Sequence, residues 1–158
     1  MRGQRTVPCH KERTAFMNIA IYQYHRSDTR SLDMNQSGEH LILSAVTMCK
    51  DKATDLYGHG QNFIQYVDTK LDMIPSEYMK GAYVRPELER LLEDIHLGRI
   101  DLVIVTYMGA VASDFNFVLA FYIYLCQHNV KLVTVREGEK INELMEEALE
   151  EFKKKAGL

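Results

Sequence analysis

Four short apolar runs alternate along the chain with stretches of helical spacing. The runs are Asn18–Tyr24, which contains Ile19-Ala20-Ile21-Tyr22, then Asn62–Val67, Asp101–Thr106 and Val130–Val135. Each has strand length and is rich in β-branched or aromatic residues. The third and fourth are almost continuously apolar, as a parallel strand covered on both faces requires. Between the runs, apolar residues recur with a helical period. Leu41, Ala45, Met48 and Cys49 do so within Gly38–Ala53, and Leu88, Leu91, Leu92 and Ile95 within Pro86–Leu97. Val118, Phe121, Tyr122 and Leu125 repeat the spacing within Asp114–Gln127. Pro86 suits a first helical turn, Gly98 a C-terminal stop, and Ser113 or Asp114 an N-cap. Strand and helix therefore alternate, which predicts an α/β fold. Its mainly parallel sheet has about four to five strands, with helices on both faces.

Two further segments complete the pattern. Lys140–Lys155 predicts an amphipathic helix with Ile141, Leu144, Met145, Ala148, Leu149 and Phe152 in one stripe. Glutamates fill its other face, and Lys153-Lys154-Lys155 lies where the helix dipole favours cations. The stripe suits either its own domain or a second subunit. Thr69–Val84 is polar and aperiodic, with Pro75 and Gly81, and is expected to be a mobile loop.

Composition narrows the class. A chain of 158 residues with 46% hydrophobic residues has the length and content for one domain with a real core. Residues 1–16 carry Arg2, Arg5, Lys11 and Arg13 without an apolar segment, and are expected to form a disordered arm before a domain over 17–158. No apolar run is long enough to span a bilayer, so no membrane partner is expected. The net charge of −3 argues against a stand-alone nucleic-acid binder, which normally carries a basic footprint. Cys9, Cys49 and Cys126 are scattered and form no metal-binding pair. They imply a reducing compartment, most simply the cytoplasm. Cys49 and Cys126 fall on apolar helix positions and are expected as buried thiols. Cys9-His10 would need partner ligands from elsewhere to bind a metal, and no metal is expected.

Candidate chemistry follows from topology. In open α/β sheets, ligands bind beyond the carboxyl ends of the strands. That rule nominates Tyr24–Arg30, Asp68–Lys70 and Tyr107–Ser113. Arg26 and Arg30 offer cations for an anion, with Ser27 as a hydroxyl donor, or this is an ordinary solvated loop. His25 is a weak candidate base at the same edge. Gly58-His59-Gly60 precedes a strand and lacks the third glycine of a dinucleotide fingerprint, so no cofactor is expected.

Several stretches taken together resemble the catalytic domain of the serine recombinases, the resolvases and invertases. Ile21-Tyr22-Gln23 opens as that family's first strand does, and Ser31-Leu32-Asp33-Met34-Asn35-Gln36 is similar to its following loop. Tyr66-Val67-Asp68 matches a strand ending in Asp, and Arg85-Pro86-Glu87-Leu88 matches Arg-Pro-x-Leu. The most specific likeness runs from Leu91 through Gly98-Arg99-Ile100-Asp101 to Val105. The resemblance covers Asn18 to about Phe152 and implies a resolvase-like domain. That domain would end in the start of a dimerisation helix, without a separate DNA-reading domain.

The departures fall on the chemistry. The family attacks a DNA phosphodiester with a serine and meets the developing charge with arginines. Counted from Tyr22, Tyr24 stands at the first arginine and Arg26 at the nucleophile, with Ser27 one position late. Where the family reads Leu-Asp-Arg-Leu-x-Arg, this chain reads Met108-Gly109-Ala110-Val111-Ala112-Ser113. Arg85 alone keeps its arginine. Losing one pre-organised donor costs roughly 10²–10³ in rate. The resemblance therefore implies a catalytically inactive homologue that forms a homodimer or joins a recombinase, with weak DNA binding. Arg26, Ser27, Arg30 and Arg85 are its candidate phosphate ligands. Two alternatives stay open. One is an active site-specific recombinase with Ser27 as nucleophile, assisted by Arg26, Arg30 and Arg85. The other is an unrelated flavodoxin-like module that binds an anion or nucleotide.

Overall fold

The computed structural model describes residues 16–25, 35–69, 74–75 and 83–157. Its main sheet holds β1 (Asn18–His25), β2 (Asn62–Thr69), β5 (Leu102–Val105) and β6 (Lys131–Thr134). They lie in the order β2-β1-β5-β6, and every neighbouring pair is parallel. The helices are α1 (Asn35–Tyr57), α2 (Pro86–His96), α3 (Phe115–Gln127) and α4 (Ile141–Ala156). A 3-10 turn, Met108–Ala110, follows β5. The expected fold class is the one observed.

Side-chain alternation divides the core into two layers. Ile19 and Ile21 of β1, Leu102 and Ile104 of β5, and Val133 of β6 face α1, where Val46, Cys49 and Ala53 are buried. Ala20, Tyr22, Val103, Val105 and Leu132 point to the opposite face, against α2, α3 and α4. Both faces of the central strands are thus dry, which explains their unbroken apolar sequence.

Local chemistry sets the helix ends. Pro86 opens α2, where a missing N–H leaves no intrahelical bond unmade. Gly98 follows α2 at φ 76°, a left-handed conformation that favours glycine. The Asp114 carboxylate caps α3 by accepting from Asn116 N at 3.0 Å.

Three details differ from the sequence-based expectation. Leu41 and Met48 are 61% and 48% exposed. The apolar pattern of α1 is wider than the single face that meets the sheet, and that face is centred on Val46, Cys49 and Ala53. Cys126 is exposed because α3 turns Phe121, Tyr122 and Leu125 into the core instead. Cys49 is buried as expected, and burial pushes its thiol up to about 12, which suppresses the nucleophilic thiolate. Within the segment expected as a loop, β3 (Ile74–Pro75) pairs antiparallel with β4 (Tyr83–Val84) in a short ribbon. Residues 70–73 and 76–82 lie outside the described residues.

On α4, Ile141 and Met145 are buried, and Ala148 and Leu149 pack against the core. Leu144 and Phe152 remain exposed. Part of the predicted stripe therefore serves its own domain. No described helix is long and apolar enough to cross a membrane.

Candidate functional site at the carboxyl edge of the sheet

The carboxyl ends of β1, β2 and β5 meet the start of α2 and the turn after β5. Asp68 is the organising residue. It sits near the end of β2 and is fully buried. One oxygen accepts from Tyr22 Oη at 2.8 Å and from Leu88 N at 2.9 Å. The other accepts from Glu87 N at 2.8 Å. Two orphan amides at the start of α2 are therefore capped by a carboxylate from a neighbouring strand, since Arg85 at the N-cap position supplies no side-chain cap. Burial, and then the hydrogen bond to Asp68, raise the Tyr22 phenol well above its ordinary range, so it stays a neutral donor.

The fixed start of α2 aims Arg85 into the edge. Its guanidinium donates to the Val111 carbonyl. It lies 4.1 Å from the centre of the Tyr24 ring and 5.5 Å from that of Phe117. Both separations are within cation–π reach. One arginine thus links the end of β1, the start of α2, the turn after β5 and the first turn of α3.

The turn after β5 carries a second such pair. The Arg136 guanidinium lies 5.2 Å from the centre of the Tyr107 ring. Tyr107 also lies over Gly109, where a β-carbon would stand 2.4 Å from Tyr107 Cε2. Ala110 is buried, and its amide donates to the Tyr107 carbonyl at 2.9 Å. Ser113 is exposed.

Of the candidate ligands, Arg85 is placed at this edge, and Arg26, Ser27 and Arg30 lie outside the described residues. His25 is the last residue of β1 and is half-buried. Sequence reasoning missed the aromatic partners of both arginines. Tyr24, Phe117 and Tyr107 belong to three separate segments, and no local spacing marks them. It had placed Asp68 at a strand end and in a candidate ligand-binding edge, and not as a helix cap, although an Arg-Pro helix start without its own cap was a usable hint. Among the described residues, no group of three or more His, Cys, Asp or Glu side chains is arranged to hold a metal.

The family model "Resolvase, N terminal domain" matches residues 51–155, well over half of the chain. No curated protein matches. The solved structures that share the fold include the following three. The N-terminal catalytic domain of TP901-1 integrase superposes with a TM-score of 0.56 at 16% identity, covering 89% of this chain and 99% of that one. A resolvase family site-specific recombinase from Streptococcus pneumoniae gives 0.52 at 17% identity, covering 89% and 90%. The C-terminal catalytic domain of ISC1926 TnpA, an IS607-like serine recombinase, gives 0.52 at 16% identity, covering 81% and 78%.

Proposed function

Because the chain belongs to the resolvase N-terminal domain family, we propose that it is a recombinase-like domain that has lost strand cleavage and acts by association. Its partners are DNA, a second copy of itself or an active recombinase. The observation that carries this reading is the state of Arg85. This arginine, retained in the Arg-Pro-x-Leu motif, is stacked on Tyr24 and bonded to the Val111 carbonyl. Tyr24 stands where the family resemblance places an arginine, so a ring occupies the place of a second cation. Gly109 and Ala110 stand where it places an aspartate and an arginine. Tyr107 covers the first of these, and the second is a buried methyl.

The charge balance of phosphoryl transfer supports the same conclusion. The transition state needs fixed cations around the attacked phosphorus. In this reading Arg85, with Arg26, Ser27 and Arg30 as co-ligands, holds a phosphate weakly. That arrangement suffices for docking and not for turnover.

Association through α4 belongs to the same proposal. Leu144 and Phe152 are 38% and 43% exposed on a helix whose Ile141 and Met145 are buried, so the helix has an inner face and an apolar outer remainder. Supercoiled plasmid incubated with the protein tests the loss of cleavage and is expected to keep its supercoils. Relaxation of the plasmid would overturn the reading. Sedimentation at high micromolar concentration tests association and is expected to show a dimer, weakened by Leu144→Glu.

A further inference from the structure

Among the described residues, the exposed Phe and Tyr side chains are Phe16, Tyr107, Phe115, Phe117 and Phe152. Three of these five fall in the short segment that leaves β5 and enters α3, at the carboxyl edge of the sheet. Their exposures are 41%, 53% and 40% for Tyr107, Phe115 and Phe117. Such rings are costly to leave in water, and their concentration at one edge marks an interaction surface.

The arginines beside them give the surface its chemistry. Arg85 lies over Tyr24 and Phe117, and Arg136 over Tyr107. Each pair combines a flat apolar ring with a planar cation. Tyr24 is on β1 and Tyr107 follows β5 by two residues, and these strands are neighbours, with Ile21 paired to Ile104. Both pairs therefore lie at the carboxyl ends of neighbouring strands. Gly109 keeps Tyr107 in place, because any β-carbon there would push the ring away.

We propose that this edge is a stacking platform for the bases of single-stranded DNA. The inference deepens the DNA-association reading and rests on it. Flat rings interleaved with guanidinium groups suit a strand whose bases are splayed, because every base has a π-face and each intervening phosphate needs one cation. A duplex offers its outer surface as phosphates, which reward many cations. Here the net charge is −3, and Glu137 directly follows Arg136 in the sequence. Phosphate neutralisation is therefore a minor contribution, and stacking is the main one.

This division gives the surface a measurable signature. Two arginines neutralising two phosphates predict a salt slope of only about −1.4 in log K against log salt, at roughly 0.7 per phosphate on a single strand. Duplex binding by a basic patch would be several times steeper.

The experiment is fluorescence anisotropy with a labelled oligo-dA strand, the same sequence as a duplex, and free dAMP, across a salt series. The parent is compared with Tyr107→Leu, Phe117→Leu and Arg136→Gln, each checked for fold by circular dichroism. Leucine keeps apolar bulk and removes the π-face. The expected result is tighter binding of the single strand than of the duplex or dAMP, with the shallow slope. Each ring variant is expected to lose roughly tenfold in Kd, the stacking contribution of one base. Tighter duplex binding, or full-strength binding by the leucine variants, would overturn the platform while leaving DNA association intact. Failure to bind either form would overturn both, independently of the plasmid cleavage result.

Discussion

The ring of Tyr107 lies so close over Gly109 that a β-carbon at residue 109 would stand 2.4 Å from Tyr107 Cε2. The two residues are thus mutually dependent. A side chain at 109, including the aspartate that the family resemblance places there, requires Tyr107 to leave its position beside Arg136. Gly109→Ala is therefore expected to turn the Tyr107 ring aside, and because that ring is 41% exposed the stability loss stays below about 1 kcal/mol. The loss should vanish in a Tyr107→Ala background. Urea denaturation of the double-mutant cycle measures the coupling. Equal costs in both backgrounds would show that the contact does not matter.

Asp68 makes a second prediction. Its carboxylate serves Tyr22 Oη and the amides of Glu87 and Leu88 from a fully buried site. Asp68→Ala leaves all three donors without an acceptor. The expected loss is about 3 kcal/mol, combining a lost cap with buried unpaired donors. Asp68→Asn keeps acceptor capacity in one oxygen and should cost less. Chemical denaturation of the two variants gives the order directly.

A third prediction concerns pH. The Asp94 carboxylate accepts from Tyr66 Oη at 2.6 Å and pairs with Arg99 at 3.1 Å. The Tyr66 hydrogen bond, and then Arg99, hold it below the usual aspartate range against the opposing effect of burial. A carboxyl group whose folded pKa is depressed adds stability above its unfolded value, near 4. That stability is lost as pH falls through the folded value. Tyr66→Phe is therefore expected to cost about 1 kcal/mol at pH 7, and less near pH 3. A cost that stays constant over that range would contradict the assignment.

Much of the fold was legible because its signals are local. The strands announced themselves by composition, and their double-sided burial by unbroken apolar runs. Pro86, Gly98 and Asp114 act on their own helix ends, so position in the sequence was enough to assign them. The edge was less legible. Arg85 was found through its motif, but its partners Tyr24, Val111 and Phe117 come from segments that meet only in the folded chain. The Asp68 cap likewise depends on β2 delivering a carboxylate to a helix that begins well downstream. The exposure of Cys126 depends on which neighbours of α3 claim the core, and helical period alone allowed either side.

Strand cleavage through a phosphoserine link is the activity that the arrangement around Arg85 argues against, and covalent trapping tests it most directly. The protein is incubated with supercoiled and nicked DNA, denatured, and examined for protein that migrates with the DNA, in parallel with Ser27→Ala. The expected result is no adduct with either protein, whatever non-covalent binding is present. A denaturation-resistant adduct formed by the parent and absent from the Ser27→Ala variant would contradict the account and establish an active nucleophile.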